Sequence, residues 1–154
     1  MKLFQSTKTR LVFHLSSRES QSLLQLLKLY PWMPSTPHVL SKTGRVPDAE
    51  ANQQLLNDAL AEHRTANKQQ LQDLLANPRR FKNTDKGARL SLSPYEVEWF
   101  LQVLNDIRVG SWVVLGSPDE KPAELTVDNA PAYLTMEMAG YFQMQLLQAL
   151  EGET

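Results

Sequence analysis

Near the start of the chain, apolar positions recur every second residue: Leu11, Phe13 and Leu15 alternate with Val12 and His14. That period suits a half-buried strand over 10–15, preceded by a second short strand at 2–6 across a polar turn at 7–9. At Ser16 the period changes. Ser16-Ser17-Arg18-Glu19 has the form of a capping box, in which the serine hydroxyl accepts from a backbone N–H and the glutamate reaches back. A helix is predicted from there to about Leu29, with Leu23, Leu24, Leu26 and Leu27 on its core side. Pro31, Pro34 and Pro37 forbid regular structure, so 30–47 reads as a long loop. Its Trp32, Met33, Val39 and Leu40 predict that it lies across the core. Asp48 is placed to cap a long helix to about Ala76, with Leu56, Leu60, His63, Leu71 and Leu74 on one stripe and Pro78 ending it. Residues 79–89 read as basic and irregular, and 88–92 as a strand. Ser93-Pro94-Tyr95-Glu96 combines a serine cap, a proline in the first turn and a returning glutamate, and predicts a helix to about Leu115, stopped by Gly116. A polar loop over 117–127 and a last helix from Asp128 or Asn129 to about Leu150 complete the chain. The pattern predicts a mainly α fold with a small antiparallel β element, about four helices forming a bundle, in a single domain over 1–154.

Residues 13–28, FHLSSRESQSLLQLLK, have an echo 77 residues later in 90–105, LSLSPYEVEWFLQVLN. Six of the sixteen positions are identical: Leu15/Leu92, Ser16/Ser93, Glu19/Glu96, Leu24/Leu101, Gln25/Gln102 and Leu27/Leu104. Any strand, capping box and amphipathic helix in succession produces some of this likeness. A genuine repeat would make two halves, 1–77 and 78–154, each of strand, helix, loop and helix. The two strands before the equivalent helices would then pair as a small sheet on the bundle.

Composition narrows the class. At 154 residues the chain fits one domain with a real core. Zero cysteines exclude disulfides, thiol catalysis and thiolate metal sites. No apolar run reaches the roughly 18 residues of a membrane span, and the N-terminus has no continuous apolar region like that of a signal peptide. A cytoplasmic protein without a membrane partner is expected. The net charge of −1 hides an asymmetry. Residues 1–89 carry 14 Lys/Arg against 7 Asp/Glu, and residues 90–154 carry 2 against 10. The halves either neutralise each other by packing, drive self-association, or offer the basic part to an acidic partner; packing within one domain is the favoured reading.

From Arg89 the chain reads RLSLSPYEVEWFLQVLNDIRVGSWVVLG. With its Leu104-Asn105-Asp106-Ile107-Arg108 string and a tyrosine-bearing last helix from Tyr141 to Leu150, it resembles an uncharacterised bacterial family best known from actinobacteria. The resemblance implies a small, mainly helical domain without an established activity. It also implies a gene often placed beside that of a Clp protease adaptor, and hence a regulatory or proteolytic setting. It supplies no catalytic residue. Gly110-Ser111-Trp112 departs from the family's more aliphatic pattern.

The angular spacing of a helix puts Val97, Leu101, Leu104, Arg108 and Leu115 on one face, with the Arg108 guanidinium emerging from an apolar stripe. A buried arginine needs a carboxylate or several carbonyls, so Arg108 is read either as part of a structural polar network or as an anion-binding group. Asn105, at the edge of that stripe, and Asp106, towards the other face, are read as architectural first. Tyr95, Trp99, Val103 and Val113 form a second apolar face on the same helix. The last helix doubles in the same way, with Ala132, Ala139, Phe142, Leu146 and Leu150 on one stripe and Leu134, Met138 and Tyr141 on another. Helices apolar on two sides are either central or interfacial, so Tyr95, Trp99, Val103, Leu134, Met138 and Tyr141 are candidates for a homodimer interface. The alternative is that the 30–47 loop covers one of these faces.

Arg79, Arg80, Lys82, Lys86 and Arg89, with Phe81 among them, form a basic patch that can meet phosphates. A sequence pI near 6.3 argues against a dedicated nucleic-acid binder. The LSPYEVEWFLQVL stretch has the opening of a LuxR-type helix-turn-helix, but the apolar continuation NDIRVGSWVVLG lacks a recognition helix. His14, His38 and His63 are isolated, with no metal-ligand spacing, and His63 is expected at the edge of the core. No phosphate loop, nucleophile elbow or base–nucleophile pair is present. The expectation is a non-enzymatic helical interaction or regulatory module that self-associates, with no cofactor or metal and with room for a protein partner. The alternatives are a nucleic-acid-associated regulator using 79–89 and a small-anion binder centred on Arg108.

Overall fold

A computed structural model describes residues 1–31, 49–116 and 125–151. Among the described residues, four strands and four helices follow one another as β1 (Lys2–Ser6), β2 (Leu11–Ser16), α1 (Ser17–Lys28), α2 (Ala49–Ala76), β3 (Phe81–Thr84), β4 (Gly87–Leu92), α3 (Pro94–Val114) and α4 (Ala130–Glu151). The fold is mainly α with a small antiparallel sheet. Trp32, Met33, Val39, Leu40 and the Asp48 cap lie outside the described residues, as does most of the 117–127 loop.

The sheet order is β1-β2-β4-β3, all antiparallel. Each half contributes one hairpin followed by two helices, and the hairpins meet along β2 and β4. Leu11, Phe13 and Leu15 of β2 stand opposite Leu92, Leu90 and Ala88 of β4, and all six are buried. This one face is covered by the helices: α1 packs on β2 and β4, and α3 on β4. Alternation sends Val12, His14 and Arg89 to the other face.

Both predicted capping boxes form. Ser16 Oγ accepts from Glu19 N at 3.1 Å while Glu19 Oε1 accepts from Ser16 N at 3.0 Å. Ser93 Oγ accepts from Glu96 N at 3.1 Å, and Glu96 Oε1 from Ser93 N at 2.9 Å. Each box turns a central strand directly into a core helix.

Residues 81–84 correct the irregular reading of 79–89: they form β3, paired with β4. Their own alternation is weak, and the neighbouring strand supplies the hydrogen-bond template that fixes them. The hairpin closes through Asp85 and Lys86 onto Gly87, which adopts φ +148. A Cβ there would lie 1.9 Å from the Leu15 carbonyl oxygen, so β2 and β4 can approach only because this residue is glycine.

The helical stripes need a second correction. The buried residues of α3 are Val97, Trp99, Phe100, Val103, Leu104, Ile107, Gly110 and Ser111. The centre of that sector lies about 80° around the helix from the stripe drawn through Leu101 and Arg108. Leu101 is half-buried and Arg108 is exposed. The sequence stripe included Val97 and Leu104 but followed only one border of a sector nearly half the circumference wide. Helix α3 is therefore central: both of its predicted apolar faces contribute to the core, and its main packing partner is α4. His63 likewise lies in solvent, because α2 buries Asn67, Leu71 and Leu74 and nothing further towards its N-terminus among its described side chains.

Candidate functional site

Three helices are tied by one buried amide. Trp99 Nε1 on α3 donates to Asn67 Oδ1 at 3.0 Å, and Asn67 Nδ2 on α2 donates to the Tyr30 hydroxyl, just past α1, at 3.1 Å. Asn67 is 5% exposed and Tyr30 2%, so both amide functions are satisfied away from water. Burial pushes the Tyr30 phenol above its ordinary pKa, against the downward pull of the Asn67 hydrogen bond. Trp99 and Val103 are thus interior residues of a single chain, which corrects their reading as interface candidates. Tyr95, at the start of the same helix, is 74% exposed. The signal for the amide was legible in principle: Asn67, Leu71 and Leu74 recur at helical spacing.

The second stripe of α4 lines a concavity instead. Between α1 and α4 runs a groove of about 340 Å³, walled by Arg18, Glu19 and Ser22 on one side and Leu134, Glu137, Met138, Tyr141 and Phe142 on the other. Leu134 and Tyr141 are exposed and Met138 is half-buried. Phe142, packed edge-on against Tyr141 at 5.2 Å between ring centroids, links this groove to the core.

Glu19 anchors one wall. Its Oε2 accepts from the Tyr141 hydroxyl at 2.7 Å and from the Met1 amine, while Oε1 completes the capping box. Burial, with Lys2 nearby, lowers the pKa of that amine. Glu19 therefore joins the N-terminal strand, the start of α1 and the middle of α4. The capping pattern identified Glu19 as a cap, but the contact with Tyr141 spans 122 residues and leaves no local trace.

Glu96 plays the corresponding part at α3. Arg80 Nη2 pairs with Glu96 Oε1, and Arg80 Nε donates to the Ser91 carbonyl at 3.1 Å. Burial alone would raise the Glu96 pKa, but the Ser93 amide and the Arg80 guanidinium outweigh it and hold the carboxyl below the ordinary range. Arg80 is accordingly committed to the fold, whereas Arg79, Lys82, Lys86 and Arg89 are exposed. A second hollow, of about 490 Å³, opens beside this pair towards Gln69, Asp73 and Asn77 of the α2 end.

Arg108 makes a long contact of 3.5 Å to Gln143 Oε1 on the surface and lines neither concavity, which corrects its placement in an apolar interior. Asn105 is exposed and Asp106 half-buried with interactions of its own. Among the described residues, no group of three or more His, Asp or Glu side chains gathers where it could hold a metal ion. No described helix is long and apolar enough to cross a membrane.

No curated protein and no solved structure matches the chain. A family model does, over residues 40–150, which takes in α2, the β3–β4 hairpin, α3 and α4. With that match spanning most of its length, the chain belongs to the DUF2017 family, a domain of unknown function.

Proposed function

We propose that this protein is a non-enzymatic interaction module that self-associates through the α1–α4 groove. One observation carries the reading: Leu134 and Tyr141, 59% and 40% exposed, converge with Met138 on an open apolar groove in a chain whose core is already filled by other side chains. Large side chains held at a concave surface favour burial against a partner. The rim adds complementarity. Arg18 and Glu137 stand on opposite walls, so a two-fold related copy presents each to its opposite charge. Glu19, the carboxylate best placed for chemistry, has both oxygens engaged in structural hydrogen bonds, which favours a contact surface over a catalytic centre.

Light scattering tests the proposal. The wild-type chain, 17.5 kDa as a monomer, is expected to approach twice that mass as its concentration rises. Leu134→Glu, at an exposed position, is expected to stay monomeric with unchanged helical circular dichroism. A wild type that remains monomeric throughout removes the proposal.

A further inference from the structure

The strand register assembles a feature that no stretch of sequence contains. Lys2 pairs with His14, His14 with Arg89, and Arg89 with Lys82, so one straight row across all four strands reads Lys-His-Arg-Lys. Residues paired in this way point to the same face. That face is the one away from the helices, since the adjacent row, Leu3, Phe13, Leu90 and Phe81, faces the core. Lys2, Lys82 and Arg89 are exposed and His14 is half-buried. None of the four strands contains an aspartate or glutamate. Among the described residues, no carboxylate pairs with Lys2, Lys82 or Arg89.

Like charges directly opposite one another oppose strand pairing. With strands about 4.8 Å apart, the row spans roughly 14 Å, and one anionic group can touch two neighbours at once. Beside it stands Phe4, 60% exposed, with the Arg89 guanidinium over one face of its ring, 4.6 Å from the centroid. An aromatic ring left in solvent next to a line of cations is the combination that holds an unpaired nucleotide: the ring stacks on the base and the cations meet the phosphates. A carboxylate peptide would satisfy the cations but leave the ring unused.

We propose that the open face of the sheet binds single-stranded nucleic acid, with Phe4 as a stacking platform and Lys2, Arg89 and Lys82 as the phosphate track. The proposal is independent of the α1–α4 groove. It also redraws the basic patch of the sequence: Arg80 drops out, and Lys2 and His14, far away in sequence, come in.

Fluorescence anisotropy with labelled twelve-nucleotide oligo-U and oligo-dT tests it, using the full chain at low salt. Binding is expected, with log K falling against log salt at a slope of about −2 for three phosphate contacts. Lys82→Glu with Arg89→Glu is expected to abolish binding, and Phe4→Ala to weaken it about tenfold with little change in the slope. The positions are exposed, and circular dichroism confirms that the variants fold. The comparison of the two oligonucleotides distinguishes RNA from DNA. Absence of binding by the folded wild type overturns the proposal. Equal binding of a poly-glutamate peptide or of anionic vesicles, or a Phe4→Ala affinity equal to wild type, overturns it in favour of a generic anion surface.

Discussion

Phe13 and Leu90 face each other at the centre of the sheet, and the offset of 77 positions between them equals that from Ser16 to Ser93 and from Glu19 to Glu96. Equivalent residues of the two halves therefore meet across a local two-fold axis. The symmetry extends outward along the strands: Leu11 opposes Leu92, the counterpart of Leu15, and Leu15 opposes Ala88, the counterpart of Leu11. It extends into the helices as well. Each capping glutamate holds a backbone amide and a cation, the Met1 amine for Glu19 and Arg80 for Glu96. The two capped strand–helix units are arranged alike at the centre of the molecule.

Gly87 permits the two halves to close. Gly87→Ala is expected to cost about 2–4 kcal/mol, since it combines an unfavourable backbone conformation with a collision against the Leu15 carbonyl. Gly140→Ala, inside α4 with no atom within 4 Å of the new methyl, is expected to be neutral or to stabilise by up to about 1 kcal/mol. Urea unfolding of the two variants provides the comparison, and equal midpoints would refute the close-approach argument.

Asn67 is expected to be the most sensitive polar position on α2. Asn67→Ala strands the Trp99 N–H and removes a donor from Tyr30, at a cost of about 1–3 kcal/mol. In a double-mutant cycle, Trp99→Phe should cost less in the Asn67→Ala background than in wild type. The raised Tyr30 pKa adds a pH signature. The unfolded phenol ionises first, so stability is complete below about pH 10 and declines as pH rises from there through the folded value.

Glu96 acts at the other end of the scale. Its carboxyl is depressed in the folded state, so its contribution is complete above the unfolded value, about 4.5, and is lost as pH falls through the folded one. Glu96→Gln keeps an acceptor for the Ser93 amide and removes the charge paired with Arg80. The variant should unfold at lower urea than wild type at pH 7, with the difference closing as pH falls through the depressed folded value. A difference independent of pH would show that the charge is not the stabilising element.

Local chemistry explains how much of this was readable in advance. Ser16/Glu19 and Ser93/Glu96 announced both core helices, because a capping box is complete within four residues. Leu11, Phe13 and Leu15 announced the central strand by their period. Read as a repeat, the echo pairs the two strands that precede the capped helices, and β2 and β4 do pair. Angular spacing misplaces Arg108 because a wide buried sector has two borders, and residues at one border share a narrow angular range that resembles a complete face. Helical spacing puts Asn67 on the face of Leu71 and Leu74, but its tie to Tyr30 and Trp99, 37 and 32 residues away, leaves no local trace. Of the two proposed interface faces, the one through Trp99 and Val103 is buried within the chain, with Trp99 bonded to Asn67 of α2, and the one through Leu134, Met138 and Tyr141 is left as a groove.

That groove is the centre of the functional account, and the cysteine-free chain allows a direct test with a single introduced label. A nitroxide on Leu134→Cys reports the approach of two copies by dipolar broadening of its continuous-wave resonance spectrum, which reads separations this short, with Leu55→Cys on α2 as the reference. Self-association through the groove places two labels at position 134 at a short inter-protomer distance, consistent with helices packed about 8–10 Å apart, and two at position 55 at a longer one. The absence of dipolar broadening at position 134, or stronger broadening at position 55, would contradict it.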